Sequence, residues 1–108
     1  MSIEFGVLRE GSTITLIGTQ RATVDEEIFD ELVPIFLEIQ KKTGEEIDQY
    51  GSASFEGAAL SIFIEELESV KSMASKKYSE AFYETVKELL RVAYYAKEQS
   101  KPLSYFGE

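Results

Sequence analysis

Apolar positions change their spacing twice along this chain, and the changes divide it into elements. From Ile3 the pattern alternates, with Ile3, Phe5 and Val7 on one side, and after the turn-forming "REGS" the β-branched run "STITLIG" continues it to Gly18. A β-hairpin is predicted here, with Gly11 supplying the positive φ that a tight connection needs. The spacing then becomes helical. Ile28, Leu32, Ile35, Phe36 and Ile39 fall on one face, widened by Phe29, Val33 and Leu37, and Glu27, Glu31 and Glu38 mark the other. Thr23 and Glu26 read as a capping box that opens this helix, and Gly44 closes it after about Lys42. Pro34 falls inside the helix and removes one of its hydrogen bonds, so a kink is expected there.

Two further helices follow. Ser54 is the expected N-cap of one that reaches about Ser75, with Leu60, Phe63, Ile64, Leu67, Val70 and Ala74 on its main face. Phe55, Ile62 and Met73 form a second stripe on its opposite side, which is either covered by another layer or open as a patch for self-association. Residues Tyr78 to Gln99 carry the clearest pattern, a core stripe of Phe82, Val86, Leu89, Leu90 and Ala93 backed by charge pairs among Glu84, Lys87, Glu88 and Arg91. Tyr95 projects toward that charged side as a candidate interface anchor. The segment "SMASKKYSE" contains neither Gly nor Pro, so the two helices could run together unless Ser75 or Ser79 caps one. Pro102 ends the last helix, and "LSYFGE" alternates in a way that lets it join the hairpin as a third strand. The expected architecture is α+β in a single domain spanning residues 1–108: an N-terminal hairpin, three helices and a short C-terminal strand, with the helices on one face of the sheet.

Composition then narrows the chemistry. There is no His and no Cys, which removes the usual general base, the commonest metal ligand, the thiolate nucleophile and any disulfide. The acidic run "DEEIFDE" opens a helix, where the macrodipole favours negative charge; Glu27 and Glu31 could chelate a hard cation, but neither an E-x-x-H pattern nor a D-x-D-x-D-G loop accompanies them. No metal, cofactor or catalytic residue is assigned, and a small carboxylate enzyme ranks third among the functions considered. Twenty acidic residues against 11 basic ones give a formal charge of −9, which repels nucleic acid and anionic membrane and steers the chain toward a basic protein. The N-terminus lacks the features of a signal peptide and no apolar run is long enough to span a bilayer, so a cytoplasmic protein is expected.

The connection "EEIDQYGSASFEG" reads first as a link between helices, with Ile47 and Phe55 as its anchors. The order of a helix ending in "KKTG", then "IDQYGSASF", two more helices and a terminal "LSYFGE" resembles small bacterial toxin-immunity proteins of the polymorphic-toxin and contact-dependent inhibition type, with their I-D-P-Y-G-D-T-x-F segment and final F-x-G-D. The likeness runs through Ile47, Asp48, Tyr50, Gly51, Phe55, Phe106, Gly107 and Glu108; Gln49 stands in place of Pro, and Ser52-Ala53 in place of Asp-Thr. The resemblance implies a non-catalytic inhibitor that occludes the surface of a cognate toxin domain, often a basic nuclease. Charge places its contacts at Glu27, Glu31, Glu38, Glu45, Glu46 and Asp48, with Tyr50 and Tyr95 as aromatic anchors. The rival expectation is an adaptor or structural subunit that forms a homodimer through the Phe55, Ile62 and Met73 stripe.

Overall fold

The computed structural model describes residues 2–12, 15–48, 51–72 and 78–107. Its elements run β1 (Ser2–Leu8), β2 (Leu16–Asp25), α1 (Glu26–Thr43), β3 (Ser52–Phe55), α2 (Ala58–Lys71), α3 (Glu80–Glu98) and β4 (Leu103–Phe106). The four strands form one antiparallel sheet in the order β2-β1-β4-β3, and the fold is α+β. The expected hairpin is β1 and β2. The C-terminal segment does join it, but as an interior strand, because β3 pairs on its far side.

Strand alternation sorts the sheet into two faces. Ile3, Phe5 and Val7 of β1, Ala22 and Val24 of β2, Phe55 of β3, and Leu103 and Tyr105 of β4 are buried against the helices. The paired positions between them, Glu4, Gly6, Arg21, Thr23, Ser54 and Ser104, belong to the opposite face, where Arg21 reaches Glu4 at 2.6 Å. The core is aromatic at its centre. Phe5 lies 6.0 Å from Phe36 of α1, 5.7 Å from Phe63 of α2 and 5.3 Å from Tyr105, while Phe55 adds a ring 5.1 Å from Phe63. Such pairs contribute about 0.5–1.5 kcal/mol each beyond the area they bury.

Two helix starts differ from the sequence expectation. Thr23 belongs to β2, where it pairs with Glu4, and the helix starts after Asp25, whose side chain makes no capping bond. Pairing of Val24 with Ile3 extends the strand past the Thr-x-x-Glu signal, since burying Ala22 and Val24 gains more than an exposed cap. Ser54 likewise lies in a strand; α2 begins one turn later, behind Gly57. Phe55 is therefore a fully buried strand residue and not part of a helical stripe, which leaves Ile62 as the stripe's one described helical member, half-buried; Met73 lies outside the described residues.

At its other end α1 stops as expected. Gly44 takes φ 80°, and its N–H donates to the Gln40 carbonyl. Pro34 leaves the helix unbroken because it sits on the solvent side, and the position that loses its N–H partner, Asp30, is exposed too. Helices α2 and α3 are separate elements, and Ser79 is the N-cap of α3, accepting from the Phe82 N–H at 3.1 Å.

β2 is irregular where it passes Gly6. Two steps along β1, Gly6 to Leu8, match five along β2, Leu16 to Arg21, so β2 bulges. Arg91 of α3 holds the bulge, its guanidinium donating to the Thr19 carbonyl at 3.2 Å and the Gln20 side chain at 3.3 Å, while Nε donates to Glu88 at 2.7 Å. Gly6 is what allows the close approach: a Cβ there would lie 2.7 Å from the Gln20 carbonyl oxygen and 3.0 Å from the Leu16 side chain. Gly6→Ala is expected to lower stability by about 1–3 kcal/mol in urea unfolding, the scale of an overpacked core, because backbone has to move. A wild-type midpoint for this variant would mean that the bulge adapts freely.

Candidate functional site

α1 carries its acids outward because its inner arc is fully used. Ile28, Phe29, Leu32, Ile35, Phe36 and Ile39 are buried, and at 100° per residue Glu27, Asp30, Pro34, Leu37, Glu38 and Lys41 lie along the middle of the exposed arc, with Glu26 and Lys42 exposed at its margins. Leu37 is 52% exposed, although its apolar character suggested a core position. With Pro34, Glu38, Gln40 and Lys41 it lines a shallow groove of about 550 Å³. This is an apolar patch with carboxylates on both sides along the helix axis, Glu27 and Glu38 being about 16 Å apart at 1.5 Å per residue. Lys41 pairs with Glu38 at 3.4 Å, but both side chains are exposed, so water and salt screen the contact.

Glu31 was expected on this face, but its carboxylate is occupied elsewhere. Oε2 accepts from the Ser79 N–H at 3.2 Å and Oε1 from the Ser79 hydroxyl at 2.8 Å. In a capping box the residue three beyond the cap returns a carboxylate to the cap's own N–H; here that residue is Phe82, and Glu31 supplies the carboxylate from another helix. Tyr78 completes the start of α3 by stacking on Phe82 at 4.1 Å and meeting Tyr83 edge-on. Glu31 thus ties α1 to α3. Glu31→Ala should cost about 0.5–2 kcal/mol of stability in chemical denaturation, the range of a lost N-cap, and an unchanged midpoint would show that the tie contributes nothing.

The connection after α1 is positioned by Tyr105. Its ring is buried against Phe5, and its hydroxyl donates to the Glu46 carbonyl at 2.7 Å while accepting from the Asp48 N–H at 3.0 Å. Ile47 is buried between them in sequence, so the backbone is pinned and the side chains of Glu46 and Asp48 are left exposed; Glu45 is half-buried. A further bond from the Gly107 N–H to the Gly51 carbonyl at 2.7 Å fastens the other end. Tyr50 lies outside the described residues.

Burial raises the Tyr105 pKa above the ordinary tyrosine range. The Asp48 N–H opposes the shift, and the fields of Asp48, Glu46 and Glu45 add to it. The neutral phenol is the form the fold prefers. Its contribution is complete below about pH 10 and declines as pH rises toward the folded-state pKa. Tyr105→Phe, which leaves the Glu46 carbonyl and Asp48 N–H without their partner, should therefore cost about 1–3 kcal/mol at neutral pH. The gap from wild type should narrow above about pH 10; a gap that stayed constant or widened would contradict the assignment.

The predicted acids thus form two groups. Glu27 and Glu38 share the outer face of α1 with Leu37, whereas Glu45, Glu46 and Asp48 belong to the connection at that helix's C-terminal end. Tyr95, expected on the charged side, packs against the core; the exposed aromatic of α3 is its neighbour Tyr94, at 44%. α3 is covered over a wider arc than its narrow stripe implied, since Val92 and Ala96 are also buried. Among the described residues no three carboxylates converge to hold a metal ion, and no helix is long and apolar enough to cross a membrane. No known protein family matches the chain, and no curated protein or solved structure does either.

Proposed function

We propose that this chain is a non-catalytic inhibitor, an immunity protein of a bacterial competition system that works in the cytoplasm by covering the substrate surface of a basic toxin domain. The observation that carries the reading is the outer face of α1, where Leu37 and Pro34 stand exposed between Glu27, Asp30 and Glu38 on a chain of net charge −9. An apolar centre with a charged rim is the arrangement in which a few central contacts supply affinity and the surrounding charges set the encounter rate. Carboxylates spaced along a helix oppose a surface evolved for phosphate, and the same charge disfavours nucleic acid as the chain's own ligand. The resemblance of the Ile47 to Phe55 segment and of the C-terminus to immunity proteins supports the same partner class. Glu46 and Asp48, on a pinned connection, extend the acidic surface beyond the end of α1.

Co-expression with the product of the neighbouring reading frame tests this directly. The chain should relieve that product's toxicity and form a complex whose association rate falls as salt rises. Leu37→Glu should speed dissociation, and Glu27→Lys should slow association by about tenfold or less, with folding unchanged in both. No relief of toxicity, or a complex indifferent to salt and to both substitutions, would overturn the reading.

A further inference from the structure

The two edges of the sheet are finished differently. β2 forms one of them, and there the bulge breaks the register while the Arg91 guanidinium lies across the backbone, 3.2 Å from the Thr19 carbonyl and 3.5 Å from that of Arg21. β3 forms the other edge and carries no such device. Its register with β4 is regular from Ser52 to Phe55, and Ser52, Ala53 and Ser54 bring neither charge, proline nor bulk. The Gly107 N–H donates to the Gly51 carbonyl one step beyond the pair of Ser52 with Phe106, so antiparallel alternation gives Ala53 and Phe55 the bonds to β4. Ser52 and Ser54 therefore turn their N–H and C=O groups to the open edge, where both residues are exposed and those groups meet no partner among the described residues.

We infer that the β3 edge receives an extended segment of a basic protein partner, which pairs with Ser52 and Ser54 as an added strand and carries a cationic residue toward Glu46 and Asp48. Outward N–H and C=O groups at every second residue are met, donor to acceptor, by another extended backbone. Side chains set the rest of the segment's pattern. On the inner face the sheet ends at Ala53, half-buried beside the core, so the incoming strand turns apolar side chains toward the helices and polar ones outward beside Ser52 and Ser54. Glu46 and Asp48, exposed on the connection that Tyr105 pins, lead into β3 and favour lysine or arginine at the segment's end. A second copy is a poor occupant: antiparallel pairing of two β3 strands would bring Asp48 of each copy toward Glu56 of the other, between chains of charge −9. The inference rests on the proposed partner being a basic protein, but the edge can be tested without that partner.

The test is titration of the isotope-labelled full chain with the capped peptide Lys-Thr-Val-Thr-Val-Thr-Lys, followed by backbone amide NMR shifts and hydrogen exchange. The peptide should shift the Ser52 and Ser54 amides and slow their exchange, leaving the β2 edge from Thr19 to Thr23 unmoved. A copy with glutamate at both ends should bind about threefold more weakly at low salt, and one N-methylated at each central amide, which cannot donate, should not bind. Ser54→Pro removes only an outward N–H and should weaken the lysine peptide by about tenfold, with circular dichroism unchanged. No shift at β3, shifts on β2 or α1 instead, or equal binding of the N-methylated copy would overturn the inference. So would Ser52 and Ser54 amides already protected in a chain that sediments as a dimer, since the occupant would then be a second copy. If the peptide adds to β3 while the neighbouring toxin product is not neutralised, the inhibitor reading falls and the edge stands. If Ser54→Pro binds that product as tightly as wild type, the edge falls and the inhibitor reading stands.

Discussion

The rest of the molecule depends on the ring of Phe5, which has no exposure and touches Phe36 of α1, Phe63 of α2 and Tyr105 of β4. Through Phe36 it fixes how α1 sits on the sheet, and hence which arc of that helix is left to solvent. Through Tyr105 it fixes the connection, because the phenol that stacks on Phe5 also carries the two hydrogen bonds to Glu46 and Asp48. One buried aromatic therefore sets the position of both acidic groups. Neither could be held by its own contacts, since exposed carboxylates gain little from fixed geometry in water.

The edges of this arrangement are secured by polar contacts of longer reach. Glu31 crosses from α1 to cap α3, and Arg91 crosses from α3 to hold the bulge of β2, which Gly6 admits. A further ion pair joins Lys42 of α1 to Glu66 of α2. In a chain with 20 acidic residues and 11 basic ones, Arg91, Arg21 and Lys42 are placed where they meet acceptors across elements, which leaves the outward acids of α1 less compensated. Structure and surface charge come from the same small stock of cations.

Much of this was legible in the residues, and what was missed had a physical cause. The buried arc of α1, its αL stop at Gly44 and the N-cap of α3 at Ser79 all rest on local spacing and capping, which a single sequence displays. The run of β2 through Thr23 was hidden because a capping signal overlapped an alternation, Ala22 and Val24, whose partners lie far away on β1. β3 was hidden because three residues with small side chains before Phe55 give almost no pattern, and only the pairing of Ala53 and Phe55 with β4 makes the segment a strand. For the surface, helical spacing put Glu27 and Glu38 on the solvent side of α1, and both are exposed. Leu37 was assigned to the core for being apolar, although Asp30, Pro34 and Lys41 share its arc and signal solvent. Tyr94 and Tyr95 differ by 100° on the helix, and which is exposed depends on how wide an arc the sheet and α2 cover together.

The most direct test of the account is native-state hydrogen exchange of Phe5→Leu. If Phe5 couples the layers, amides of β1, β4, α1, α2 and the Asp48 connection should lose protection together and by a similar free energy. Loss confined to β1 and its neighbouring strands, with α1 and the connection protected as before, would contradict it.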